Sequence, residues 1–278
     1  MSDENFSPLP QTDLEQQLSK LMPDWDFAEV ENLAYLSGGY SNINFALDYQ
    51  HQRYVLRIPQ IVQPFVDREH ELSWYNKLPA GIGIKPLALD TQTGAMITPW
   101  IAGQLLADVF PRFSLEQYAR YLQNLHTGLP DAQRIYDLEA INSAYWGNET
   151  PPQSLANPPD ALARNCHNDL NPWNVIVTTQ GWVTLDWEFV GNNDPLFDLV
   201  ALHHGLTLPQ SALPLFAELY LGHQPADLHE RLHNVQTAYW SRELGWAHFQ
   251  VKRGNQRDEI VAQVQMAEEA LQGLLRRV

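Results

Sequence analysis

Apolar positions along this chain switch between the two periodicities that separate helices from strands. Leu14, Leu18 and Leu21 recur at helical spacing ahead of Pro23, with Thr12 and Glu15 as a candidate capping box, so a short N-terminal helix is expected. From Leu33 the pattern changes. Residues 44–49 and 54–58 alternate or run apolar around the polar turn Gln50-His51-Gln52, which predicts a twisted antiparallel sheet. Residues 67–78 return to helical spacing, with Leu72, Tyr75 and Leu78 on one side and Pro79 and Gly81 beyond. Two more strands are expected around 85–89 and 95–99. Ser114 and Gln117 then open a capped helix whose stripe is Leu115, Tyr118, Leu122 and Leu125. The Pro- and Asn-rich stretch 147–159 reads as a surface loop. Short apolar runs at 175–177 and 182–185, separated by Thr179-Gln180-Gly181, predict a hairpin. Beyond Asp198 the pattern is helical to the end, and Ile260, Val264, Ala267, Leu271 and Leu274 mark the last face.

Composition narrows the class. A chain of 278 residues with 44% hydrophobic content supports one large domain or two modest lobes. No apolar run approaches the roughly 20 residues of a membrane span, and MSDENFSPLP lacks the blocks of a signal peptide, so a cytoplasmic protein without a membrane partner is expected. The single cysteine, Cys166, excludes an internal disulfide and reads as a small core residue. Seventeen basic against 33 acidic residues give a formal charge of −16, which argues against a nucleic-acid partner and suits a cationic ligand.

Candidate chemistry concentrates at 166–189, CHNDLNPWNVIVTTQGWVTLDWEF. His167, Asp169 and Asn174 read H-x-D-x-x-x-x-N, and Asp186 closes the second apolar run. The predicted hairpin would bring Asn174 and Asp186 side by side, two hard oxygen ligands suited to Mg²⁺. Pro172 keeps the preceding loop out of helix, leaving the Asp169 carboxylate free to face a hydroxyl. His167 with Asp169, His203 and His204 could instead suggest a metallohydrolase, but no one element supplies enough ligands, and a loop-bracing histidine is the better reading. Asp198 reads as a helix N-cap. Arg57 shares a strand face with Val55 and so requires a partner. Gly38-Gly39 alone would be a tight turn.

This segment resembles the catalytic and metal-binding loops of the aminoglycoside phosphotransferase and choline kinase superfamily, small-molecule relatives of the protein kinases with Asp-Trp-Glu where those carry Asp-Phe-Gly. LSGGYSN at 36–42, YVLRI at 54–58, an acidic helix around Glu69 and Glu71, and GNNDPLFDLVAL after Asp-Trp-Glu fall in the family's order. The choline, ethanolamine and thiamine kinase branch is the nearest match. The resemblance implies an α+β, bilobal, protein-kinase-like fold with a small antiparallel-sheet N-lobe, 1–99, and a larger helical C-lobe, 100–278, joined by a hinge around 98–103.

It further implies ATP and Mg²⁺ as cofactors and a hydroxyl of a small cationic metabolite as acceptor. Asp169 would orient that hydroxyl; Asn174 and Asp186 would hold the metal. Gly38, Gly39, Ser41 and Asn42 would lie on the loop over the phosphates, steadied by Arg57 paired with Glu69 or, preferably, Glu71. Many relatives carry lysine at the Arg57 position. The family's counterpart of Asp198 braces the catalytic loop. Trp187, Glu188, Trp240 and Trp246 are the expected substrate group, because aromatic faces with a nearby carboxylate hold a quaternary ammonium or thiazolium. Trp240 and Trp246 are spaced more widely than the pair typical of choline kinases, which keeps thiamine beside choline and ethanolamine. An aminoglycoside or sugar-like acceptor is the second reading, and an inactive kinase-like binding protein the third.

Overall fold

The structure, a computed structural model, describes residues 9–36, 41–152, 155–159 and 161–276. The chain divides into two compact units, one formed by residues 1–103 with 178–188 and the other by 104–177 with 189–278.

The first unit is built on an antiparallel sheet. Its strands are β1 (Glu31–Leu36), β2 (Asn42–Tyr49), β3 (Gln52–Pro59), β4 (Ala88–Leu89) and β5 (Met96–Pro99), ordered β1-β2-β3-β5-β4. The β2–β3 hairpin closes through Gln50 and His51, whose φ angles of +48° and +64° supply the left-handed pair that a tight two-residue turn demands. Helix α1 (Gln11–Leu21) lays Leu14, Leu18 and Leu21 on a core made by Ile43, Phe45, Leu47, Leu56 and Ile97. Thr12 lies inside α1, and Pro10 occupies the cap without a side-chain bond, so the expected capping box is absent.

Helix α2 (Arg68–Lys77) is capped by Asp67, whose carboxylate accepts from the His70 amide. Of the expected stripe, Tyr75 and Leu78 are buried and Leu72 is half-buried; Glu71 and Trp74 complete the buried face. The helix turns an acid inward because Arg57, buried on β3, needs it. The late segment 178–188 adds the turn in which the Thr178 amide and hydroxyl both donate to the Gly181 carbonyl, followed by the strand Trp182–Thr184.

The second unit is mainly helical: α3 (Leu106–Val109), α4 (Leu115–Gly128), α5 (Leu138–Trp146), α6 (Leu196–Gly205), α7 (Leu213–Leu221), α8 (Leu228–Lys252) and α9 (Asp258–Leu275). The capping box of Ser114 and Gln117 opens α4 as expected, and Tyr118, Leu122 and Leu125 are buried along it. Long α8 packs against α5, α6 and α9. Gly245 permits the approach to α5, since a Cβ there would meet Trp146 Nε1 at 3.1 Å. On α9 the buried face is Ile260, Ala267, Leu271 and Leu274. Among the described residues no helix is long and apolar enough to cross a membrane.

Leu47, fully enclosed in the first unit's core, is the test of this packing. Leu47→Ala is expected to cost about 2–5 kcal/mol, read as a fall in the urea midpoint; a midpoint unchanged from wild type contradicts the core described here.

Candidate active site

In the first unit the charged residues form one chain of contacts. Arg57 donates through Nη1 to Asp186 Oδ1 at 2.7 Å and through Nη2 to Glu71 Oε1 at 2.8 Å. Glu71, fully buried, also accepts from Arg68 Nη1 at 2.6 Å, and the same nitrogen donates to Glu188 Oε2 at 2.8 Å. Glu71, not Glu69, is therefore the partner of Arg57. Removing one member of such a pair leaves a buried charge uncompensated, at a cost of about 3–5 kcal/mol. Arg57 Nε finds no acceptor among the described residues.

Asp186 has a φ of +60°, a conformation unfavourable for a residue with a Cβ, and its side chain keeps partial exposure. With Oδ1 on Arg57, its Oδ2 carries no hydrogen bond among the described residues. Burial, and then the charge of Asp186, push Glu188 up to about 8 against the opposing pull of Arg68 and Arg57. Ser41 is fixed by a 2.6 Å bond from Gln63 Nε2 to its Oγ, and Asn42 begins β2 opposite Pro59. Gly38 and Gly39 lie outside the described residues.

The second unit holds the candidate catalytic loop, residues 166–174. Asp198 is fully buried in the first turn of α6, where it accepts from the backbone amides of His167 and Asn168, each at 2.7 Å. It is not the expected N-cap: Pro195 holds that position, and Asp194 just before it accepts from the Leu196 amide. Burial would raise the Asp198 pKa, but His126, with Nε2 at 2.9 Å from Oδ2, and the His167 amide outweigh it and hold the carboxyl below its usual range. The second ring nitrogen of His126 meets the Tyr220 hydroxyl at 2.8 Å. His167 Nδ1 accepts the Asp169 amide, a loop-bracing bond.

Asn168 takes a φ of +66° and is tied down by its side chain, which donates to the carbonyls of Cys166, Phe189 and Gly191. Gly205 makes room for Pro172 in the same loop, because a Cβ there would fall 2.3 Å from the proline ring. So braced, the loop presents Asp169. Asn174 donates through Nδ2 to the Asp169 carbonyl at 3.0 Å and lies 3.4 Å from Oδ2, which leaves its own amide oxygen available. Arg242 of α8 donates to Asp169 Oδ1 from both terminal nitrogens, at 3.1 and 3.0 Å.

Asp186 and Asn174 each offer a hard oxygen with no hydrogen bond of its own among the described residues, the ligand type Mg²⁺ prefers. Among the described residues the cluster able to hold a metal through His, Cys, Asp or Glu is His126, Cys166 and Asp198. The hydrolase set of His167, Asp169, His203 and His204 is not assembled.

Of the expected substrate residues, Trp187 is fully buried, tilted against Trp74 at 5.8 Å with Nε1 donating to the Thr184 carbonyl. It packs the core and leaves the substrate group. Glu188 is buried against Arg68 instead of free for a cation. Trp240 stands on α8 in an aromatic cluster with Tyr239 and His204, at 5.1 and 4.7 Å; Trp246 is half-buried on the same helix. Burial pushes His204 down to about 3, so its ring is neutral.

The description "phosphotransferase enzyme family" matches residues 32–232. The chain belongs to that family. Protein LicA of Haemophilus influenzae is 24% identical, over 74% of this chain and 71% of LicA. The choline kinase LicA of Streptococcus pneumoniae superposes with a TM-score of 0.72 at 20% identity, covering 95% of this chain and 99% of that one. A thermostable mutant of aminoglycoside phosphotransferase APH(4)-Ia, solved with ADP and hygromycin B, gives 0.65 at 15%, covering 94% and 97%. The chain therefore has the α+β, protein-kinase-like fold, and it is a phosphotransferase of that family.

Arg242, Arg68 and His126 escaped the sequence reading. Arg242 had a signal of a kind, a cation inside an otherwise aromatic helical stretch, YWSRELGW. Glu188 provides the pH test. Between the ordinary carboxylate pKa and about 8, the native state keeps a proton that the unfolded chain has released, so stability declines as pH rises through that window. Glu188→Gln is expected to remove the decline, measured by urea midpoints on either side of the window; the same decline in both proteins contradicts the raised pKa.

Proposed function

We propose that this kinase transfers the γ-phosphoryl group of ATP to a hydroxyl of a small cationic metabolite of the choline, ethanolamine or thiamine type. The observation that carries the reading is the state of Asp169: a partly exposed carboxylate on a braced loop, with Oδ1 held by Arg242 and the Asn174 amide turned so that its oxygen is open. Asp169 orients the acceptor hydroxyl and takes its proton late, because the transition state is loose and alignment supplies most of the catalysis. Asn174 and Asp186 hold Mg²⁺, which when bound neutralises charge on the phosphates. Arg57, kept in place by Glu71, and the loop with Ser41 and Asn42 position the triphosphate; the unsatisfied Arg57 Nε is a donor suited to an anion.

A cationic acceptor is favoured by the likeness to choline kinase LicA and by the Tyr239, Trp240 and His204 rings, which stand in the same unit as Asp169. A neutral imidazole adds an aromatic face without repelling a cation. Trp240 and Trp246 remain the proposed substrate tryptophans.

Three measurements test this. ATP consumption with choline, ethanolamine, thiamine, amino sugars and aminoglycosides is expected to favour a quaternary or protonated amino alcohol over the sugars; preference for an aminoglycoside overturns the acceptor, and no consumption with any overturns the activity. Asp169→Asn should cut turnover roughly 10²–10⁴-fold with nucleotide affinity nearly intact, and near-normal turnover would refute its role. Asp186→Ala should weaken Mg²⁺–nucleotide binding by more than about tenfold, roughly 1.4 kcal/mol by calorimetry; unchanged affinity removes Asp186 from the metal site.

A further inference from the structure

We propose that Arg242 is a positioning residue for the catalytic aspartate, clamping one carboxylate oxygen so that the acceptor hydroxyl always meets the other. The proposal deepens the kinase reading and rests on the role given there to Asp169. Both terminal nitrogens of Arg242 converge on Asp169 Oδ1, and Nη2 also donates to the carbonyl of Asn168 at 2.7 Å. One guanidinium thus holds the base and the residue before it. Asn168 is the residue with a φ of +66°, so the clamp acts where the backbone is least favourable.

Exposure separates the two roles. The Asp169 side chain is 28% exposed and that of Arg242 only 5%, so the carboxylate can meet a ligand while the arginine stands behind it. Arg242 is itself held: Nη1 lies 2.9 Å from Glu243 Oε1, and the rings of Phe189 and Phe197 lie 5.9 and 5.8 Å from its central carbon. Its Nε is buried without an acceptor among the described residues, so the guanidinium is oriented toward Asp169 and Asn168 at the expense of one of its own donors.

A free carboxylate rotates and offers either oxygen. Fixing Oδ1 with two donors removes that freedom before the acceptor arrives, leaving Oδ2, which meets only a long 3.4 Å contact from Asn174 Nδ2, as the oxygen that takes the proton. In the transfer, the acceptor oxygen forms its bond to the γ-phosphorus as the bond from that phosphorus to the ADP oxygen breaks; the acceptor proton passes to Asp169 Oδ2 and from there to solvent. A planar fork is needed to reach one carboxylate oxygen and the neighbouring carbonyl together, which a lysine ammonium cannot match.

A double-mutant cycle tests the proposal, with choline as acceptor and, in parallel, water, read as ATP hydrolysis. Arg242→Met is expected to lower kcat about 100-fold while choline KM and nucleotide affinity stay within about threefold. In an Asp169→Asn background the same substitution should change the rate less than about threefold, because the group it positions is already gone. An equal loss in both backgrounds, a loss confined to KM, or an unchanged kcat overturns the proposal. If Arg242→Met no longer binds nucleotide, Arg242→Lys decides: reduced kcat at unchanged KM is expected, and wild-type kcat contradicts the clamp. A wild-type rate in Asp169→Asn alone would instead sink the underlying role of Asp169.

Discussion

A charge withdrawn from water must be paired, and that constraint organises the chemistry-bearing parts of both units. In the first unit, Arg57 and Glu71 are buried together and draw Asp186, Arg68 and Glu188 into one alternating chain. In the second, Arg242 is buried between Asp169 and Glu243. Each network ends on a carboxylate that retains exposure, Asp186 in one and Asp169 in the other. The inner ions hold the outer oxygens still.

The proposed catalytic loop follows the same logic with backbone in place of side chains. Asp198 sits at zero exposure and spends its oxygens on two main-chain amides and on His126. Those bonds hold Asn168 in a left-handed conformation that a free chain would avoid. Strain of this kind persists where the surroundings over-determine it, and here three carbonyls, the Asp198 carboxylate and Arg242 all converge on Asn168. Rigidity of the loop is a requirement of phosphoryl transfer, in which alignment does most of the work.

Much of this was legible in the sequence. Strand alternation around Arg57 announced that the arginine would need a partner, and the acidic helix supplied it as Glu71. The helical stripes of α4 and α9 and the turn at Gln50-His51 followed directly from spacing and turn chemistry. What periodicity could not give was the burial of Glu71 on α2, which serves a residue on another element. Trp187 was misjudged for a related reason: an aromatic beside a motif carries no mark of which side it faces, and its indole lies against Trp74. Asp198 looked like a cap because caps are local, whereas its partners are some thirty residues earlier. Arg242 contacts Asp169 across 73 positions, a distance over which no local pattern speaks.

The most direct test of the central claim is a single-turnover reaction with γ-labelled ATP, Mg²⁺ and choline, ethanolamine or thiamine, followed by separation of the products. The account predicts label in an organic phosphomonoester of one of these alcohols with wild-type protein, and label retained in ATP when Asp169 is replaced by asparagine. Label appearing only as inorganic phosphate, or transfer that survives the replacement undiminished, would contradict it.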